Sequence, residues 1–425
     1  MSSMPSTSAA AFAVELPTDD GSGARSANAA SRPVLILVSR LPFPLDDGWK
    51  TRTYHVIHEI AAAYPTTVLV RVDDKQLPHV EAFRATLPRG TRLEIVVEPD
   101  ARIMPLVKAA FGRTPIYVHR MQTPLFMAKA FALAKEQRFS SCVCVYTYVF
   151  PIGRAHELAE QVFVDTHNID SQLMERYATA LPFSPRRLFA LRTAQQLHLW
   201  EAKVFREAKG AWVCSDDEKR MLAASGFQNS TVAANGIQAA SLDAVRRAPI
   251  AGRILFFGRL DYFPNADAVE RLRTGIVPRV REQLPNTTVR IVGAGRIAES
   301  WKTEMAGVEI VGAVDDVRTE LATADICVVP LRVGSGTRLK VLEALGAGVP
   351  IVATALAVEG LGLTPGKHYI AAETDEELAN AAVALLPDSA RKASLSEEGR
   401  LAVMTAYQWS ATLNPITDAL SRTSP

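Results

Sequence analysis

The residues best suited to chemistry lie in one stretch, Gly334-Ser335-Gly336-Thr337-Arg338-Leu339-Lys340-Val341-Leu342-Glu343, which runs on through Gly346, Gly348 and Pro350 to Thr354. Glycines let a backbone approach a ligand closely and turn its amide N–H groups toward it. The pattern predicts a loop and then a helix starting near Thr337, whose N-terminal end adds partial positive charge. Arg338 and Lys340 place two cations at that end. An anion with several oxygens is the natural occupant, and a diphosphate suits it best. Glu343, further along the helix, can accept hydrogen bonds from two adjacent hydroxyls, as on a ribose. Diphosphate and diol together point to a nucleoside diphosphate. A lone Gly-x-Gly would say only that a βα turn is present; the glycines, both cations, Glu343 and the Gly-x-Gly-x-Pro exit together say more.

The elements around this stretch read as parallel strands. Ile326 to Val329 precedes it and Val349 to Thr354 follows it, both apolar runs of the kind buried on two sheet faces. Pro33 to Ser39 is another such run, followed by a turn-rich loop containing Gly48, Lys50 and Arg52, and then by a helical pattern with Tyr54, Ile57, His58 and Ala61 on one side. Thr66–Val72, Leu93–Val97, Cys142–Val149, Gln161–Asp165 and Gly210–Cys214 continue the first half. Among eight histidines, His167 alone follows a strand end, in Asp165-Thr166-His167-Asn168, a good place to face a cleft. The chain then starts again at Arg253–Phe257 with Gly258-Arg259 and a helix, and continues through Thr288–Val292 and Glu309–Gly312. Two halves of strand, glycine loop and helix predict an α/β protein of two doubly wound, Rossmann-like domains facing across a cleft.

The Gly334–Thr354 segment resembles the donor-site signature of glycosyltransferase family 4, group 1 glycosyltransferases of GT-B fold. The resemblance implies a nucleotide-diphosphate sugar as ligand, with Arg338 and Lys340 on the phosphates, Glu343 on the ribose and Gly48 approaching the donor phosphates; Lys50 and Arg52 are weaker candidates there. Many members carry a further glutamate where Ser335 stands here, so the backbone of Gly336 and Thr337 and the Ser335 hydroxyl take its place. Arg259 matches an arginine that binds the diphosphate, while the lysine that usually follows is replaced by the region of Tyr262, Pro264 and Asn265. An Asp-x-His pattern of the family falls on Asp165 and His167, with the histidine facing the donor sugar. The loop near Val314 falls where the family's backbone meets the base. Tyr407-Gln-Trp409-Ser410 and a following helix resemble the last helix of the family, which crosses back to the first domain. The implied catalytic set is His167, Arg259 and Lys340; the implied substrate-binding set is Gly48, Ser335, Gly336, Thr337, Arg338 and Glu343.

The domain expectation is a disordered tail over 1–32, an acceptor-side domain over 33–238 joined by the helix 409–425, and a donor-binding domain over 250–408. The implied reaction moves a hexosyl group, with retention, to a glycan, lipid-linked or small-molecule acceptor. A nucleotide-sugar epimerase of the same fold and a non-catalytic nucleotide-sugar binder are the alternatives. Gly293-Ala-Gly295-Arg-Ile-Ala298 also fits a dinucleotide fingerprint, but it follows the second strand of its half rather than the first. No Asp-x-Asp occurs, and no cofactor or metal is expected.

Composition bounds the rest. Of 425 residues, 48% are hydrophobic and 22% charged, which is ordinary for a globular chain of two or three domains. A net charge of +2 argues against a dedicated nucleic-acid binder. Cys142, Cys144, Cys214 and Cys327 sit in apolar runs and read as buried thiols of a reducing cytoplasm. The N-terminal residues lack the basic start and apolar block of a signal peptide. A basic helical stretch, Phe183 to Lys209, has Leu188, Leu191, Leu199 and Phe205 as its expected apolar face; a solvated helix is the favoured reading, with contact to the inner face of a membrane as the alternative. A cytoplasmic monomer is expected.

Overall fold

The computed structural model describes residues 32–422 apart from 100–104, 106–108, 110–111, 302–304 and 335. Two parallel sheets form. The first contains β1 (Val34–Val38), β2 (Thr66–Val72), β3 (Arg92–Val97), β4 (Ser141–Val145), β5 (Gln161–Asp165), β6 (Gly210–Val213) and β7 (Ser230–Val232), in the order β3-β2-β1-β4-β5-β6-β7. The second contains β8 (Arg253–Phe257), β9 (Thr288–Val292), β10 (Val308–Gly312), β11 (Ile326–Val329), β12 (Ile351–Ala353) and β13 (Ile370–Ala371), in the order β10-β9-β8-β11-β12-β13.

The continuous apolar runs are explained by this arrangement. Every residue of β1 is buried because helices cover both faces. Val34, Ile36 and Val38 join one core and Leu35 and Leu37 the other, following the alternation of a strand. Val34 pairs with both Thr66 and Ser141, so β1 is where the winding reverses; β8 does the same between β9 and β11. Loops after β1, β4, β8 and β11 therefore open at switch points, where doubly wound sheets hold ligands.

Five helices matter below: α1 (Gly48–Ala63), α2 (Asp170–Ala180), α3 (Pro185–Glu207), α4 (Leu339–Gly346) and α5 (Asn414–Ser421). The structure corrects the faces of α3. Ala190, Ala194, Leu197, Glu201 and Val204 are buried, whereas Leu188, Leu191 and Leu199 are 53%, 41% and 51% exposed. Phe205 is buried as expected. Small residues let α2 and the first sheet's loops pack close, and Glu201 is drawn inward to cap α2. The C-terminal stretch forms a short helix at Trp409–Thr412 and then α5. Trp409, Leu413, Ile416 and Leu420 pack into the core beside β1, far back along the chain. The four cysteines are buried and free. No described helix is long and apolar enough to cross a membrane.

Candidate active site

The carboxyl ends of the two sheets meet. From the second sheet come Gly258-Arg259 after β8 and Gly334 to Arg338 after β11. Gly334 and Gly336 have φ of 146° and 72°, backbone that glycine adopts readily. α4 begins at Leu339, slightly later than its expected start, with Arg338 as its N-cap residue. A Cβ on Gly336 would lie 2.2 Å from Asn168 Oδ1 and 2.7 Å from the His167 carbonyl oxygen, so this glycine lets the loop touch the first domain. Thr337 Oγ1 donates to the Cys214 carbonyl at 3.2 Å, another contact across the cleft. Ser335 lies outside the described residues.

Arg338 is only 8% exposed. Its guanidinium bonds the Gly336 carbonyl, while its Nη2 is buried with no partner among the described residues. Burial lowers its pKa. A buried cation left half-satisfied is costly unless an anion arrives. Lys340 Nζ donates to Asn265 Oδ1 at 2.5 Å and sits 4.2 Å from the Phe256 ring centroid. Gly258 makes room for it: a Cβ there would be 2.7 Å from Nζ. Asn265, in the region that replaces a lysine, thus holds the lysine of α4. Burial, then the Arg338 charge, bring Lys340 down to about 7. Glu343 is brought up to about 7 by burial, opposed by Lys340.

Arg259 is partly exposed and paired with Asp261, Nε to Oδ1 at 2.6 Å, and stands 4.0 Å from Asp47 of the first domain. Asp47 precedes Gly48, the first residue of α1. A Cβ on Gly48 would be 3.4 Å from Leu339 Cδ1, so the starts of α1 and α4 face each other across the cleft. Lys50 pairs with Asp46 at 2.5 Å. Arg52 has a different role from the phosphate contact considered for it. It is fully buried, with Nη2 at 2.5 Å from Asp165 Oδ1 and Nη1 donating to the Ala233 carbonyl and Asn235 Oδ1 at 2.7 and 3.1 Å.

That pair supports His167. Arg52 fixes Asp165, and Asp165 Oδ2 lies 3.2 Å from His167 Nε2. The Asp165 carboxyl is held at about 2, since Arg52 and then His167 outweigh its burial. Burial lowers the pKa of His167, opposed by Asp165. The ring is therefore neutral near pH 7, with its proton assigned to Nε2 by the bond to Asp165. Tyr146, after β4, holds its ring against that of His167, tilted by 31° with centroids 4.3 Å apart.

Two groups join the domains that sequence reasoning missed. Arg176 of α2 donates to the Gly334 carbonyl at 2.7 Å and holds Glu359 through both nitrogens at 2.8 and 2.9 Å. Glu218, buried with Oε1 unpartnered among the described residues, interacts electrostatically with both Arg338 and Asp170. Neither belongs to a local motif. Gly293 and Gly295 follow β9, at φ of 154° and 117°. A Cβ on Gly293 would lie 1.9 Å from the Gly258 carbonyl oxygen, so these glycines pack two loops together.

Residues 251–388 match the family described as Glycosyl transferases group 1. Comparison with curated protein sequences finds no match. Among solved structures, sucrose-phosphate synthase from Thermosynechococcus elongatus is similar at a TM-score of 0.66 and 17% identity, over 92% of this chain and 98% of that one. The HepE protein of Anabaena, in complex with UDP and glucose, has a TM-score of 0.63 and 14% identity, over 91% of this chain and 99% of that one. A point mutant of the TarM protein of S. aureus, in complex with fondaparinux, alpha-GlcNAc-glycerol and UDP, has a TM-score of 0.64 and 10% identity, over 92% of this chain and 99% of that one. Identities this low speak for the fold alone: the chain has the GT-B fold, and its residues 251–388 match the group 1 glycosyltransferase family.

Proposed function

We propose that the protein is a retaining transferase moving a hexosyl group from a nucleotide-diphosphate sugar to a hydroxyl of a glycan, lipid-linked or small-molecule acceptor. The observation that carries this reading is the half-satisfied guanidinium of Arg338 beside Lys340 at the start of α4, in a loop whose Gly336 lies against the His167 backbone of the first domain. On this reading the diphosphate completes Arg338 and Lys340, and draws Arg259 from Asp261. Those three cations stabilise charge developing on the departing diphosphate, electrostatic preorganisation that is usually the largest catalytic contribution. Glu343 accepts from the ribose, and Gly48 brings the α1 amides near the phosphates. His167, held by Asp165 and Arg52, orients the donor sugar and needs no base role. A leaving phosphate oxygen takes the acceptor's proton. No metal is required for these steps. An epimerase of this fold is the less favoured alternative, and a non-catalytic binder would not need His167 so carefully held.

Relatives of the same fold are described with UDP and UDP-glucose, which makes uridine the first base to try. The test is thermal melting with UDP, GDP, ADP and their hexose conjugates. A ligand that binds only the folded state stabilises by about 2.7 kcal/mol at a hundredfold excess over its Kd. One nucleotide should raise the melting temperature of the wild type and leave the Arg338→Ala/Lys340→Ala double variant unmoved. If no nucleotide does so, the donor reading is withdrawn. The outward face of α3, apolar and basic together, further supports peripheral contact with an anionic membrane.

A further inference from the structure

The first domain brings a set of groups to the cleft that the donor reading leaves unused. Tyr146, Tyr148 and Tyr117 form a run of stacked rings, with centroids 5.6 Å apart between Tyr146 and Tyr148 and 5.2 Å between Tyr148 and Tyr117. The run ends on His167 through Tyr146. Tyr146 has φ of 70° and ψ of 152°, a backbone region that is essentially glycine's. A non-glycine residue held there is over-determined by its surroundings, and such residues cluster at functional sites.

Beside the stack lies Asp170, the first residue of α2. Its carboxyl is buried and receives the Tyr148 hydroxyl. Glu201 of α3 fixes the start of α2: its carboxylate accepts the Asp170 and Ser171 amides at 2.9 and 3.2 Å and the Ser171 hydroxyl at 2.5 Å. Burial pushes both acids up, Asp170 to about 7 and Glu201, which also feels the Asp170 charge, to about 8, so the pair shares a proton near neutral pH. From the opposite domain, the hydroxyl of exposed Tyr262 feels Arg338, Asp170, Asp47 and Tyr117. Donor-side and acceptor-side groups thus share one space.

We propose that Asp170 and the Tyr117–Tyr148–Tyr146 stack form the acceptor subsite, and that it takes a neutral sugar ring, its apolar face against Tyr117 at the end of the stack and one hydroxyl bonded to the Asp170 carboxyl. Aromatic surface with a few convergent polar groups is the usual make-up of a small-molecule site. A phosphorylated acceptor would meet the carboxyls of Asp170, Asp47 and Asp165, which act on Tyr146, with Arg120 the cation that acts on Tyr117. The proposal rests on the transferase reading. In that reaction the acceptor oxygen forms a bond to the anomeric carbon, the sugar–phosphate bond breaks, and the proton passes to the departing diphosphate.

The test is saturation-transfer NMR on the full chain, with and without UDP, using methyl α-D-glucopyranoside and glucose 6-phosphate as probes. Signal from the methyl glucoside ring protons is expected, with little from the phosphorylated sugar. Asp170→Asn and Tyr117→Leu should each reduce the glucoside signal at least fivefold while keeping the melting temperature and the UDP-induced shift of the wild type. Equal glucoside signal in wild type and both variants, or preferential binding of glucose 6-phosphate, overturns the subsite. A wild type that ignores UDP but binds the glucoside through Asp170 keeps the subsite and sinks the donor reading instead.

Discussion

Lys340 is a cation whose surroundings discourage its charge until an anion is present. Burial and the neighbouring Arg338 bring its pKa down to about 7. The unfolded chain therefore binds more protons than the folded one between about pH 7 and the ordinary lysine range. Over that window this group makes the empty protein more stable as pH rises. A bound diphosphate reverses the preference and draws a proton onto the amine. At pH 8 Glu343, at about 7, is already mostly ionised and contributes little. UDP binding at pH 8 should then take up close to one proton, and affinity should fall up to tenfold per pH unit above 7. Calorimetry in HEPES and in Tris reads this directly: the apparent enthalpies should differ for wild type and agree for Lys340→Met. Agreement in the wild type would mean that the lysine is charged before the ligand arrives. Arg338, Lys340 and Glu343 could be picked out in the sequence because spacing along one loop and helix places them together. Arg176 and Asp170 could not, since each matters through a partner outside its own segment, Gly334 for the first and Glu201 for the second.

At the scale of elements, strands were legible and helix faces less so. Runs such as Val34–Val38 announce themselves because a parallel sheet is buried on both faces. For α3 the count of leucines pointed to the wrong side. Its buried face is built of Ala190, Ala194, Leu197, Val204 and a capping Glu201, a selection made by close packing on α2 rather than by hydrophobicity. What remains outside is Leu188, Leu191 and Leu199 together with Arg192, Lys203 and Arg206, while the acid Glu201 is buried and Glu207 is engaged by the Gly153 amide. Apolar groups that enter a headgroup layer, ringed by cations, suit an anionic surface. The protein should sediment with phosphatidylglycerol vesicles and leave phosphatidylcholine vesicles in solution. Arg192→Glu/Lys203→Glu should abolish the first result without altering the melting temperature. Equal recovery with both lipids, or no effect of the charge reversal, would show that the face is simply solvated.

At the scale of the whole molecule, the sequence order and the domain order disagree at one point, and stability depends on it. After the long helix that ends at Ala406 the chain leaves the second domain. Ile237 donates its amide to the Tyr407 carbonyl at 2.6 Å, and a Cβ on Gly236 would lie 2.7 Å from the Trp409 amide nitrogen. The lack of a side chain at Gly236 is what lets Trp409 pass. Trp409 then stacks on His55 of α1 with centroids 4.5 Å apart, and Leu413, Ile416 and Leu420 complete the core beside β1. Emptying a buried Trp, Leu or Ile site costs about 2–5 kcal/mol each. Four such losses rival the whole stability of a domain, about 5–15 kcal/mol. The second domain keeps its own core, to which none of these four belongs. Deleting residues 409–425 should therefore remove the calorimetric transition of the first domain and leave that of the second, which UDP should still raise if the donor site lies there alone. A deletion protein that keeps both transitions would mean that the crossing helices merely rest on the first domain. One that loses both would mean that the domains fold as a single unit, joined by Arg176 and the Gly336 contact as firmly as by their own cores.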